Sequence, residues 1–178
     1  ANLTLRLLFD DLGFSNEEIA FYDVGFGFIA FLLGIFFGGL LFSRLGLKRS
    51  VFISLVLMAV SNCSFAALAL IGKSNLGMAA AVGFENFASG IGGVTVVAYL
   101  SALCNLRFTA TQYALLSALA SIAGRVLTGS LAGGLIIEIG YVGFYILTTI
   151  IAAPGVILFW YMIQKGLVDL NLDQKGKF

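Results

Sequence analysis

Five long apolar stretches, separated by short polar segments, make up most of this sequence. Each has at least the roughly 20 residues that an α-helix needs to cross about 30 Å of hydrocarbon. They comprise residues 19–42, 50–72, 77–103, 110–137 and 143–164, and we call them spans A to E. The pattern predicts an all-α integral membrane protein with five transmembrane helices.

The ends of the spans divide the chain into three parts. Ser15 and Glu18 have the spacing of a capping box, so span A should begin there, and Thr109 with Gln112 repeats the spacing before span D. Residues 3–9 are apolar but too short to cross a membrane. They form either an interfacial turn or the last two turns of a further helix. We therefore predict a helix stub and outer loop at 1–14, a five-span bundle at 15–164 and a tail at 165–178.

Composition supports a membrane protein. Hydrophobic residues make up 60% of the chain, charged residues 11%, and the mean hydropathy is +1.04. Soluble domains carry about 25% charged residues to cover their surface, so lipid must cover this one. The chain has no His and only two Cys, and no nucleophile is paired with a base. We expect no metal site, no enzyme activity and no nucleic-acid partner.

The distribution of basic residues predicts the orientation. Loops A/B and C/D and the tail share seven of them, whereas Lys73 stands alone in loop B/C and loop D/E has none. Because basic residues concentrate on the cytoplasmic side, the tail should be cytoplasmic. The seven residues are Arg44, Lys48, Arg49, Arg107, Lys165, Lys175 and Lys177.

Three ionisable residues lie within the spans: Asp23 in A, Glu85 in C and Arg125 in D. Each costs about 2.5–3.5 kcal/mol at the centre of a bilayer, so its helix should turn it toward a cavity or a partner. Spans B and E carry no charge. We therefore expect A, C and D to line an interior and B and E to face lipid.

Glu85 and Arg125 lie at similar depths, with Glu85 roughly 7 Å outward of the middle. They form either a structural ion pair or part of a pathway on which Glu85 binds and releases a proton. Ser89 and Ser121 lie at helical spacing from them and favour an aqueous path. Asp23, near the outer end of span A, either lines the path or reaches out to water.

Two motifs resemble those of a known transporter family. The run Gly39-Leu-Leu-Phe-Ser43-Arg44-Leu-Gly46-Leu-Lys48-Arg49 is similar to the loop signature of major facilitator carriers, with Ser43 where the family usually has Asp. Glu85-Asn86-Phe-Ala-Ser-Gly-Ile-Gly, the run from Leu103 to Leu119 and Gly124-Arg125-Val resemble the carboxy-terminal half of the AmpG-type muropeptide permeases.

The resemblance implies a twelve-helix carrier of the bacterial cytoplasmic membrane that brings anhydro-muropeptides inward with protons. Spans A to E would be its helices eight to twelve, and residues 3–9 the end of helix seven. The proton gradient would drive transport without a cofactor, and the partners would be the bilayer and a small glycopeptide. The alternatives are a subunit whose missing six helices come from a separate chain, a non-transporting fragment or degenerate product of such a permease, or a paralogue that carries another solute.

The resulting site prediction has two parts. The substrate or proton pathway comprises Glu85, Asn86, Ser89, Ser121, Arg125 and Asp23. The cytoplasmic gate loop comprises Gly39, Arg44, Gly46, Lys48 and Arg49.

Overall fold

The computed structural model describes residues 3–103 and 132–168, with the short pieces 111–112, 114–115 and 118–119. Within those residues all regular structure is helical. The elements are α1 (Leu3–Asp11), α2 (Asn16–Ile19), a π-helix (Ala20–Phe26), α3 (Gly27–Ile71), α4 (Asn75–Leu103) and α5 (Ala132–Gln164). Among these described residues, three stretches are long and apolar enough to cross a membrane: Asn16–Ile71, Asn75–Ala102 and Ala132–Gln164. Most of span D lies outside the described residues, so the count of five spans stays a prediction.

The predicted capping box at the start of span A is confirmed. Ser15 Oγ accepts a hydrogen bond from the backbone N–H of Glu18 at 3.2 Å, and Glu18 Oε2 accepts one from the N–H of Ser15 at 2.8 Å. Glu18 lies just before span A. The hydrogen bond from the backbone of Ser15 holds the pKa of Glu18 below its ordinary value. The second predicted box begins at Thr109, which lies outside the described residues.

Helix α3 contains a sharp break at Gly46, where φ is 75° and ψ is 174°. This φ lies in the left-handed region, which glycine adopts without the steric cost that a Cβ brings. The break divides α3 into α3a (27–45) and α3b (47–71), which correspond to spans A and B.

The contacts of α4 show that the chain reverses direction at this break. Along α3a, Gly34 meets Gly90 and the later Gly38 meets the later Ile91, so α3a and α4 run parallel. Along α3b the order is opposite: Ser54 bonds Thr95, whereas the later Ser61 bonds the earlier Glu85. Helix α4 therefore lies between two helices of opposite direction, as the topology of spans A, B and C requires.

Helix α5 has the same kind of break at Gly140, with φ 69° and ψ 171°. The part beyond the break packs beside α3b. Phe65 stacks against Tyr145 with ring centroids 5.5 Å apart, and Val51 shares a buried cluster with Phe159. Residue numbers rise along α3b as they fall along α5, so the two helices are antiparallel.

Helix α1 packs within the bundle. Leu8 and Phe9 are 1% and 0% exposed and belong to a buried cluster that includes Phe65 of α3b and Met78 of α4. The other face of α1, which carries Arg6, Leu7 and Asp10, is exposed, so the packing is compatible with an interfacial turn as well as with the assignment of α1 to the end of a further helix. That assignment stays a prediction.

Polar contacts join three segments at one end of the bundle. Lys73 Nζ donates to the Gly13 carbonyl at 2.7 Å and lies 3.3 Å from Glu18 Oε2. Tyr141 Oη donates to Asp11 Oδ2 at 2.6 Å. Loop B/C, the segment before span A and the turn before span E therefore share one end, which the distribution of basic residues predicts to be the outer one.

Candidate functional site

Glu85 occupies the interface between α4 and α3b. Its Oε2 accepts a hydrogen bond from Ser61 Oγ of α3b, and its Oε1 accepts one from Ser89 Oγ, one helical turn along α4, at 3.3 Å. The Glu85 side chain is half-buried, and Ser61 is 1% exposed. The carboxylate is therefore held between two helices by two hydroxyl groups.

This arrangement corrects the expectation that span B only faces lipid. One face of α3b is polar and buried: Ser50 and Ser54 are 0% exposed and Ser61 is 1% exposed. Ser54 accepts a 2.8 Å hydrogen bond from Thr95 Oγ1 of α4. Ser50, Ser54 and Ser61 are four and seven residues apart, which places all three on one side of a helix. This spacing is visible in the sequence. The interface between α3b and α4 is therefore lined with hydroxyl groups.

Asn86, adjacent to Glu85, faces the opposite neighbour. Its Nδ2 donates to the Val82 carbonyl of its own helix at 2.9 Å, and a Cβ added to Gly27 of α3a would lie 2.8 Å from that nitrogen. The amide thus lies at the contact with α3a. The structure brings Ser89 together with Glu85 but places Asn86 on another face of α4.

Of the other predicted pathway residues, one lies on the π-helix and two lie outside the described part. Asp23 is half-buried on the π-helix, which also packs against α4. Segments of π-helix are rare and often occur at functional sites. Ser121 and Arg125 lie outside the described residues, so the pairing of Glu85 with Arg125 stays a prediction.

The predicted gate residues surround the break at Gly46. Arg44 and Arg49 are exposed, Lys48 is half-buried, and Gly39 lies on the preceding helix. Ser43, at the position where the family usually has Asp, donates to the Leu40 carbonyl of its own helix at 2.9 Å. A serine used in this way forms no charged link to a neighbouring helix. The gate role stays a prediction.

Comparison with known proteins identifies the family. The model of the Major Facilitator Superfamily matches residues 1–176. The chain belongs to this superfamily. The anhydromuropeptide permease of Escherichia coli K12 is 39% identical over 157 residues, which cover 88% of the chain and 32% of the permease. A Rickettsia conorii protein named for the AmpG group is 34% identical over 155 residues, covering 87% of the chain and 37% of that protein.

These relatives confirm the resemblance to AmpG-type permeases. The chain spans about a third of the length of the relatives that it matches. With the long apolar helices, membership of the superfamily makes it a multi-pass membrane protein of a transporter family. The similarity is to transporters rather than to enzymes.

Proposed function

We propose that this chain forms the carboxy-terminal helices of a secondary active transporter that imports anhydro-muropeptides across the bacterial cytoplasmic membrane, together with protons. The name of the E. coli relative supports the substrate class. The proposal makes spans A to E helices eight to twelve of twelve, with the tail in the cytoplasm. It makes a small glycopeptide the ligand and the proton gradient the source of energy.

The observation that carries the proposal is the placement of Glu85. The carboxylate is half-buried within an apolar helix bundle and lies where two helices meet. A carboxylate within the membrane is costly and is characteristic of proton and substrate pathways. Its hydrogen-bond donors include two neutral hydroxyls, which stabilise the charge less than a cation would. Such a group is suited to binding a proton on one side of the membrane and releasing it on the other.

The remaining pathway residues have subordinate roles in this proposal. Ser89 supports the Glu85 carboxylate, while Asn86, Ser121 and Asp23 line the path. Arg125 binds a carboxylate of the substrate or keeps Glu85 charged until a proton arrives. The gate loop around Gly46 closes the cytoplasmic end. Alternating access then moves this helical half against the other half of the carrier around the site.

The test uses the complete permease in right-side-out membrane vesicles with radiolabelled anhydro-muropeptide. Glu85→Gln should remove the acceleration of uptake by an inward proton gradient while retaining substrate exchange without a gradient. The matched control is Glu138→Gln, because Glu138 is an exposed carboxylate on α5. Gradient-driven uptake by Glu85→Gln at the wild-type rate would show that Glu85 does not couple transport to protons.

A second candidate is a subunit or fragment that does not transport alone. This candidate is favoured because the chain spans 32% of the length of the E. coli permease. Alternating access requires two halves of a carrier. Reading the gene upstream of Ala1 for six further helices in frame decides between one long carrier and a separate subunit. For a separate subunit, uptake should appear only when the chain is expressed with its other half.

A further inference from the structure

The buried hydroxyl of Ser61 contacts two acceptors. Its Oγ lies within hydrogen-bonding distance of Glu85 Oε2 and also 2.8 Å from the Met58 carbonyl of its own helix. A serine hydroxyl has one hydrogen to donate and two lone pairs that accept. When Glu85 is charged, carboxylate and carbonyl are both acceptors, so they compete for that one hydrogen.

We infer that Ser61 is a positioning residue that satisfies Glu85 in both of its protonation states by redirecting its single hydrogen. With Glu85 charged, the Ser61 hydrogen points to the carboxylate. When a proton binds to Oε2, the new carboxyl O–H donates to Ser61 Oγ, and the serine hydrogen turns to the Met58 carbonyl. Release of the proton reverses both movements, and no other bond forms or breaks.

The burial of the contact makes this redirection important. At 1% exposure, Ser61 has little access to water that could replace a lost partner. A buried polar group left without a hydrogen bond is costly. A partner that could only donate would leave the carboxyl O–H of protonated Glu85 without an acceptor. A partner that could only accept would leave the carboxylate of charged Glu85 without a donor. Ser89, 3.3 Å from the other oxygen, provides a longer contact and lies on the same helix as Glu85. Ser61 lies on α3b, so its hydrogen bond connects the protonation state of Glu85 to a second helix.

Elements that pack against α4 or contact Glu85 carry other ionisable groups. Tyr145 of α5 interacts electrostatically with Glu85, and Tyr22 and Asp23 lie on the π-helix that packs against α4. Arg125 is the charged residue predicted on span D. A test must separate the effect of Ser61 from theirs, which requires a variant that leaves all of them in place.

The inference rests on the proposed role of Glu85 in proton coupling, and Ser61→Ala tests it in the complete permease. A hydrogen bond to a charged group is stronger than one to a neutral group, so losing the hydroxyl destabilises charged Glu85 more than protonated Glu85. The pH of half-maximal gradient-driven uptake should therefore rise by roughly 0.5–1 unit. Ser61→Thr, which keeps the hydroxyl, should stay near the wild-type profile.

The matched control is Ser64→Ala. Ser64 lies on the same helix and donates to the Ser61 carbonyl at 2.6 Å, so its loss removes a serine without removing the contact to Glu85. Its pH profile should match the wild type. A Ser61→Ala profile that coincides with the wild type would overturn the inference. If Ser61→Ala fails to accumulate in membranes, Ser61→Cys, whose S–H is a weak donor, must shift the profile in the same direction.

An infrared measurement separates this inference from the proposed function. The C=O stretch of protonated Glu85, assigned by its loss in Glu85→Gln, should move to higher frequency in Ser61→Ala and stay unchanged in Ser64→Ala. An unmoved band in Ser61→Ala refutes the hydrogen bond regardless of transport. If the band moves but Glu85→Gln still transports with protons, the proposed function fails while the contact stands.

Discussion

A close backbone contact joins α3a to α4 and provides the sharpest stability prediction. In Gly90→Ala, the new Cβ would lie 2.4 Å from the Phe31 carbonyl oxygen, 2.8 Å from the Ile35 nitrogen and 2.9 Å from the Gly34 Cα. All three are backbone atoms, so no side chain can rotate to make room. The two helices must therefore separate.

The size of the effect follows from the overlap. An ordinary contact for a Cβ begins near 3.4 Å, so the oxygen of Phe31 must recede by about 1 Å. Overpacking of this kind costs about 1–3 kcal/mol, and a rigid backbone neighbour places Gly90→Ala toward the upper end. Alanine regains about 1 kcal/mol of helix propensity relative to glycine. The net loss of stability should be about 1–2 kcal/mol.

Gly93→Ala is the matched control, because Gly93 lies on α4 three residues further on and an added Cβ would meet no atom within 4 Å. It should keep or slightly raise the Tm. The assay is thermal unfolding of the purified permease in detergent, followed by circular dichroism, with Gly90→Ala expected several degrees below the wild type. Equal Tm values for the two variants would refute the close backbone contact.

Two further effects should also be measurable in the same assay. Thr95→Val removes the buried 2.8 Å hydrogen bond to Ser54 and should cost about 0.5–1.5 kcal/mol, whereas Thr148→Val, which loses only a bond within its own helix, should cost less. A smaller loss for Thr95 than for Thr148 would contradict the interhelical bond. Gly46→Ala places a Cβ at φ 75° and should cost about 1–2 kcal/mol, and a Tm as high as that of Gly93→Ala would show that the break tolerates a side chain.

Local signals in the sequence predicted the parts of the fold that depend on one residue or one short motif. The box at Ser15 and Glu18 depends only on spacing within one turn, and the structure forms it. The break at Gly46 follows from a glycine in a polar, basic loop. Gly34 and Gly38 have the spacing of a small-residue helix contact, and the structure packs α4 against them, but the sequence does not identify α4 as the partner, because many helices can pack on a small-residue face.

The role of Ser61 could not be predicted in the same way. A serine in a membrane helix often donates to its own backbone three or four residues earlier, so a serine face is compatible with a helix that needs no polar partner. Ser54 and Ser61 do make such bonds, to Val51 and Met58. Only tertiary packing shows that both hydroxyls also meet α4. Charge alone therefore misjudged span B as a helix that only faces lipid.

The two sides of α4 differ in a way that bears on how a proton could affect the helices. Toward α3a, the contact is between backbones at Gly34 and Gly90, and no titratable group takes part in it. Toward α3b, the contact is made by hydroxyls and the Glu85 carboxylate. Within the part of the chain that the structure describes, the interhelical hydrogen bond that protonation of Glu85 changes is the one to Ser61 of α3b. A proton that loads this site would therefore act on the packing of α3b while α3a and α4 remain a unit.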